Sequence, residues 1–356
     1  MKIRDARDDD HAEIARVAHA SDLLLDELNT ANFPSMLGWL YARAPLKVRL
    51  QFVAEHEDAV VAHYGAVPFA YKLLDERCVA GFASNLVIDR EHRAGMLFLS
   101  LQSYLQREYR KKNFRFVYGL ITRSNVLEPH LRMGWKKLGT VPVYAKPFNF
   151  PAVAAPFLKH AAVRAVAYAP LKVAQAAWRA RFSRSAAGVV VEEIPAFGAD
   201  ADAFLAAFMA RQGITAVRNR ETLNWRFASY ADRAYRIFVA RRHGAVVGYV
   251  VTRRMRLKHV SALALVDIAF DPADRAAGTA LLRQCDREAV RSRADVAATI
   301  VNPASPLLGD LRRAGYLKTP ETFTLVVHAP KDAPPPVFDE RLFAQWHLTW
   351  FEHDYV

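Results

Sequence analysis

One internal correspondence constrains this chain more than any compositional figure. Residues 52–64 read FVAEHEDAVVAHY and residues 238–250 read FVARRHGAVVGYV, the same pattern 186 positions apart. In each, two β-branched runs flank a polar turn, the mark of a β-hairpin. Downstream of each lies an apolar run, ASNLVI at 83–88 and ALALVDIAF at 262–270, which ends in an acidic and Arg-rich turn. Those turns are Asp89 to Gly95 and Asp271 to Gly278, with Arg93 and Arg275 182 positions apart, so the register holds within a few residues. Helical stretches follow at 96–109 and 279–292, with apolar residues near i, i+3, i+4 and i+7. Short strands, FRFVYGLI and DVAATIV, then run toward Asn125 and Asn302. Each copy closes in a glycine–aromatic pair, Gly134-Trp135 or Gly315-Tyr316, before a last strand, VPVYAKPF or TFTLVVH.

A repeat this long is a duplicated domain, and 356 residues suit two domains of about 150 each. The pattern predicts an α+β fold of three-layer α/β type in two tandem copies, each a mixed, largely antiparallel sheet flanked by helices. The expected boundaries are a first copy over 1–150, a basic helical linker over 151–188, a second copy over 189–330 and an aromatic tail over 331–356. The linker region, 151–191, holds Lys159, Arg164, Lys172, Arg179, Arg181 and Arg184 and no acidic residue. Its apolar residues allow it to pack across the copies or to lie on an anionic bilayer, and Pro170 predicts two short helices. Pro334 to Pro336 open a tail carrying Trp346, Trp350, Phe351 and Tyr355, which is expected to pack back onto a domain.

Charge and cysteine usage narrow the chemistry. The net charge of +13 favours polyanionic partners: nucleic acid, anionic lipid or a phosphorylated cosubstrate. Cys78 and Cys285 lie far apart, outside any metal-ligand spacing, so no metal is expected. The charged start, MKIRDARDDD, is unlike a signal peptide and no apolar run is long enough to span a bilayer, so a cytoplasmic setting is expected.

The order strand, glycine-containing turn, helix, strand, Asn, glycine–aromatic pair resembles the GNAT superfamily of acyl-CoA-dependent acyltransferases, here in tandem. In that family a Gln/Arg-x-x-Gly-x-Gly/Ala loop opens a helix whose amides hold the coenzyme A pyrophosphate. Arg275-Ala276-Ala277-Gly278-Thr279-Ala280 fits without a gap; His92-Arg93-Ala94-Gly95-Met96-Leu97 keeps the glycine but sets Arg one place late. Leu223-Asn224-Trp225-Arg226-Phe227, followed by Tyr235, is similar to the LxWR(F/Y) segment of tandem members associated with exopolysaccharide biosynthesis.

The resemblance implies acetyl-CoA or another acyl-CoA as cosubstrate, no metal, and direct attack on the thioester by a small-molecule amine or hydroxyl, an amino sugar among the candidates. It also implies carbonyl polarisation by a backbone N–H of the strand before the loop, here at Val87, with Asn125 near the cosubstrate. Family members often place an acidic Tyr four residues before the closing glycine; His130 and Leu311 stand there instead. His130 is therefore a candidate acid, with Tyr118 and Tyr144 behind it. Asp267, a lone carboxylate inside an apolar strand, needs either a partner or a catalytic task, and Asn85 is its equivalent in the first copy. Glu128 is a further candidate base. Which copy is active stays open at this level. So do two other readings: an aminoacyl-tRNA-dependent transferase of similar fold, with tRNA as donor and no DNA partner, and a non-catalytic adaptor in a polysaccharide or membrane assembly.

Overall fold

The chain opens with β1 (Lys2–Asp5) and α1 (His11–Ala20), followed by α2 (Asn32–Leu37) and the first repeated hairpin, β2 (Gln51–His56) and β3 (Ala59–Leu73). β4 (Glu76–Ile88), α3 (Leu97–Lys111), β5 (Phe116–Ile121), α4 (Ser124–Arg132) and β6 (Lys136–Pro147) complete the first copy. α5 (Phe150–Ala154) and α6 (Ala161–Arg181) lead to β7 (Val190–Ile194), α7 (Asp202–Arg211), β8 (Ile214–Ala216) and α8 (Arg220–Phe227). The second copy continues through β9 (Arg236–Arg242), β10 (Ala245–Leu257), β11 (Val260–Phe270), α9 (Arg275–Arg291), β12 (Val296–Ile300), α10 (Leu307–Arg313) and β13 (Leu317–His328). The computed structural model describes residues 1–21, 32–93, 96–158, 160–181, 188–257, 260–330 and 339–353.

Local chemistry accounts for the repeated parts. Both hairpins turn through two residues of positive φ, Glu57 and Asp58 (49° and 63°) and His243 and Gly244 (49° and 83°). Such primed turns match the twist of antiparallel strands. α4 and α10 both stop at a left-handed glycine, Gly134 (φ 86°) and Gly315 (φ 95°). The following aromatic amide then bonds back to the helix, Trp135 N to His130 O at 3.2 Å and Tyr316 N to Leu311 O at 3.0 Å.

The strand pairing departs from two self-contained copies. All the described strands join one sheet, in the order β1-β2-β3-β4-β5-β13-β6-β12-β11-β10-β9-β7, with β8 on β3. The last strand of each copy has crossed to the other. β13 pairs antiparallel with β5, Val327 opposite Tyr118, and β6 pairs antiparallel with β12, Tyr144 opposite Thr299. β6 and β13 also pair with each other, closing the seam. The exchanged strands cover the inner edges of β5 and β12 and leave neither open to foreign pairing. In each copy one parallel ladder survives and ends early, β4 on β5 at Phe82–Tyr118 and β11 on β12 at Ala264–Ala298.

One sheet face carries a core shared by both copies, drawing on Ile14, Trp39, Phe69, Phe208, Trp225, Trp346 and Phe351. The other face carries two separate cores, one beneath α3 and one beneath α9. The aromatic tail does pack back: Trp346, Leu348, Trp350 and Phe351 are fully buried in the shared core. Pro334 to Pro336 and Tyr355 lie outside the described residues.

Pro170 does not divide the linker. α6 runs unbroken from Ala161 to Arg181 with Pro170 inside. Val166, whose carbonyl Pro170 leaves without a helical donor, and Pro170 itself are both exposed, so water can meet that carbonyl.

Reciprocal strand exchange predicts that neither copy folds alone. A fragment of residues 1–150 should lack cooperative thermal unfolding, while coexpression with 151–356 should restore a stable one-to-one complex. A monomeric 1–150 fragment with a sharp melting transition would contradict the topology.

Candidate functional site

In the first copy a groove of about 420 Å³ opens where β4 parts from β5. Leu86, Ile88, Phe98 and Val126 supply apolar walls, and Arg93, Arg123 and Asn125 supply polar ones. This volume falls in the range of small-molecule sites, roughly 300 to 1,000 Å³. Arg93 is held in place, donating from Nε to Ile88 O at 3.0 Å and from Nη2 to Ser21 O at 3.3 Å. α3 begins beside the groove, and its cap residue Met96 contributes no side-chain hydrogen bond to the first-turn amides. Those amides and the positive helix end favour an anion. Ala94 and Gly95 lie outside the described residues. His92 is half-buried near His56, with ring centroids 5.3 Å apart. The Val87 side chain turns away into the shared core.

The second copy keeps the loop but has filled the space. Asp274, at the position equivalent to His92, caps α9 by accepting from Ala277 N at 3.1 Å and also binds Arg242 at 2.7 Å. A carboxylate already holds the amide that the better-fitting sequence motif offers to phosphate, so the Arg275 to Ala280 match corresponds to a self-capped helix. Phe270, equivalent to Ile88, lies on Gly278: a Cβ there would sit 2.5 Å from its ring. That glycine is required for helix–strand packing. Asn302, the counterpart of Asn125, donates from Nδ2 to the tail carbonyls of Phe343 (2.6 Å) and Trp346 (3.0 Å). Arg275 and Thr279 instead line a cavity of about 110 Å³ between α9 and α10, whereas Ala276, Ala277, Gly278 and Ala280 do not.

Four candidates for proton transfer have other duties. Asp267 is fully buried and finds its partner in Arg218, which donates from Nε to Oδ2 at 3.0 Å and from Nη2 to Oδ1 at 3.2 Å. Tyr249 Oη donates to Oδ2 at 2.6 Å and Thr349 Oγ1 to Oδ1 at 2.8 Å. Burial pushes this carboxyl up, but Arg218 more than offsets that and holds it below the usual range. With both oxygens bonded inside the core, Asp267 is a structural anchor and not a base. Its equivalent, Asn85, adopts φ 55° beside the β3–β4 register shift, a left-handed conformation that Asn tolerates. His63, equivalent to Tyr249, donates from Nδ1 to Asn85 O at 2.7 Å.

His130 is buried, with Nδ1 donating to Val126 O at 2.7 Å and Nε2 accepting from Tyr64 Oη at 3.3 Å. Burial lowers its pKa. Both nitrogens are occupied in the packing of α4, and His130 sits behind the groove walls Phe98 and Val126 without lining the groove. Tyr144 is carried by β6 into the second copy's core, and Tyr118 is buried under the tail. Glu128 is exposed on α4, one turn beyond Asn125.

The LxWRF segment clamps the tail. Trp225 and Trp39 exchange indole-to-carbonyl bonds of 3.1 and 2.9 Å. Arg226 donates to Phe351 O at 2.8 Å, to Tyr235 Oη at 3.0 Å and to His353 O. The clamp sets Glu352 in the interior, its carboxylate oxygens without a hydrogen-bond partner among the described residues and its nearest charge Arg218 at 3.6 Å. Sequence reading missed Glu352, Arg218, Arg123 and Phe98. Arg218 carried no signal in the sequence, and the other three become conspicuous only once the tail and the groove are placed.

Compared with solved structures, the chain is similar to a GCN5-related N-acetyltransferase from Anabaena variabilis, at 10% identity and TM-score 0.62, over 92% of this chain and 72% of that one. It is similar to N-myristoyltransferase from Saccharomyces cerevisiae with bound myristoyl-CoA, at 11% identity and TM-score 0.61, over 92% and 82%. A GCN5-related N-acetyltransferase from Kribbella flavida gives 14% identity and TM-score 0.59, over 92% and 70%. The chain therefore has the GNAT fold. At the level of sequence, no family model and no curated protein matches.

Burial pushes the Glu352 carboxyl up from 4.5 to about 7, Arg218 offsetting only part of the cost. Because the folded value lies above the unfolded one, the stability it contributes is complete below pH 4.5 and is lost as the pH rises through 7. Glu352→Gln should therefore gain up to about 3 kcal/mol over the parent at pH 8 and nothing at pH 4. Urea unfolding at both values checks this, and parallel pH profiles for the two proteins would refute it.

Proposed function

We propose that this chain is an acyl-CoA-dependent acyltransferase whose cosubstrate, acetyl-CoA in the first instance, binds the first copy. The observation that carries the reading is the contrast between equivalent places. Beside β4 a groove is open and flanked by Arg93 and Arg123, while beside β11 Phe270, Asp274 and the tail-bound Asn302 occupy the corresponding ground. Similarity of fold to acetyl- and myristoyl-transferases supports the class of reaction.

In this reading the start of α3 and Arg93 hold the pyrophosphate, and the pantetheine arm follows Leu86 and Ile88 into the gap between the strands. The β4 backbone beyond Phe82, where the parallel ladder ends, offers an amide at Val87 to polarise the thioester carbonyl. An amine or hydroxyl of a small molecule, an amino sugar among the candidates, attacks directly. Its proton leaves through solvent at the mouth, where Asn125 and Glu128 are exposed, since Asp267 and His130 are committed elsewhere.

Calorimetric titration of acetyl-CoA and of coenzyme A tests the assignment. Arg93→Glu and Asn125→Trp should weaken binding at least tenfold, and Arg275→Glu should leave it unchanged. Loss of binding only in the Arg275 variant would move the site to the second copy, and no binding by the parent protein at millimolar ligand would reject the reading. Repeating the titration with longer acyl chains then reads the chain length that the groove accepts.

A further inference from the structure

α6 touches the body of the protein along a single stripe. Ala167, Leu171, Gln175 and Trp178 recur at helical spacing, and with Lys172 they are the side chains described on this helix that are not exposed. This stripe faces α5: the Phe150 amide donates to Gln175 Oε1 at 3.1 Å, and the Phe150 and Trp178 ring centroids lie 6.1 Å apart. On the far side a second stripe, Val163, Val166, Pro170, Val173 and Ala177, follows 3-4-3-4 spacing and is bare. Val166 is 80% exposed and Val173 71%, with Val163 at 48%. Phe157, in the turn before the helix, is 81% exposed. Alanines at 161, 162, 165, 169, 174 and 176 fill most of the remaining surface, so no bulky side chain stands between these valines and a flat surface.

Large apolar side chains left in water along one helix face mark a contact surface, and charge identifies the occupant. Residues 151–191 hold six Lys or Arg and no Asp or Glu. Lys172, half-buried, and Arg164, exposed, each lie about 100° around the helix from the neighbouring valine of the bare stripe, and the Lys172 Nζ sits 5.7 Å from the Tyr168 ring centroid. Two copies of such a helix would meet with like charges facing, which disfavours self-association. No described helix is long and apolar enough to cross a membrane. A helix with a bare apolar stripe, basic flanks and a stripe anchored to its own protein has the form of an interfacial helix. We propose that α6, with Phe157, docks this protein flat on an anionic lipid bilayer, the valine stripe entering the headgroup boundary and the Lys and Arg residues meeting lipid phosphates. This assignment does not rest on the acyltransferase reading.

The test uses the full-length protein and vesicle flotation, with vesicles of phosphatidylcholine alone and of phosphatidylcholine with phosphatidylglycerol. The parent should bind the anionic vesicles at least tenfold more strongly than the neutral ones and lose binding as salt rises. Arg164→Glu with Lys172→Glu should weaken binding by about 25-fold or more, about fivefold for each basic residue removed near the surface. Val166→Asp with Val173→Asp should weaken it at least tenfold. Arg164, Val166 and Val173 are exposed and Lys172 is half-buried, and unchanged melting temperatures would show that both double variants stay folded. Equal binding to both vesicle types would overturn the proposal by removing lipid charge from the contact, and parental binding by the valine variant would overturn it by placing the contact on general surface charge. A lipid-free dimer of the parent that the valine variant converts to monomer would also overturn it, by assigning the stripe to a second copy of the chain.

Discussion

The reciprocal pairing of β6 and β13 is the constraint on which the rest of this structure depends. Each copy ends in a strand that it does not keep: β13 lies on β5, and β6 lies on β12. A duplicated domain could have remained two bodies on a linker. Here every ladder at the seam ties residues roughly 150 to 210 positions apart, as where Tyr144 faces Thr299 and Val327 faces Tyr118, so the two sheets become one surface. A single core can then spread across one face of that surface, and the aromatic tail can cross it. From Asn302 in the second copy the tail runs over Tyr71, Phe116 and Tyr118 to the rings of Phe82 and Phe323.

Equivalent positions show how two copies of one plan come to differ chemically. Ile88 borders an open groove, while Phe270 lies on its own helix. His92 stands where Asp274 caps α9, exchanging a carboxylate that repels phosphate for a ring that does not. Beneath them, His63 bonds the Asn85 carbonyl while Tyr249 bonds the Asp267 carboxylate. The second set carries a buried charge and therefore needs Arg218, and Arg218 in turn needs the tail, through Thr349 at 3.1 Å. A buried ion pair of this kind yields little net stability but is costly to break. It fixes the tail's course more than it strengthens the fold. The second copy's central gap is thus closed by residues that also hold the C-terminal segment.

What could be read from sequence was what neighbouring residues decide. Both hairpins, the order of elements, the loop before each helix and the closing glycines follow from turn chemistry and periodicity, and they stand where expected. The strand exchange was not legible, because β6 has the same alternation whether it pairs with β5 or with β12; only the tertiary arrangement chooses. Asp267 was legible as an anomaly that demanded a partner, but Arg218 lies 49 residues away in a segment without a pattern of its own. The loop motif is a related case. The motif match favours Arg275 to Ala280, yet Asp274, one residue outside the motif, and Phe270, on the preceding strand, occupy what the motif offers. Pro170 misled in the opposite sense, since an exposed helix lets water satisfy the carbonyl that a buried one would leave stranded.

On the proposed reading the two copies divide their roles, the first keeping an open cosubstrate groove and the second closing its own with Phe270, Asp274 and the tail. A crystal structure of the protein with coenzyme A addresses this most directly. The account predicts density for the pyrophosphate at the start of α3 beside Arg93, with the pantetheine arm between β4 and β5 and the Asn302-to-tail contacts undisturbed. Density at the start of α9, with Phe270 swung aside and Asp274 released from its cap, would contradict it.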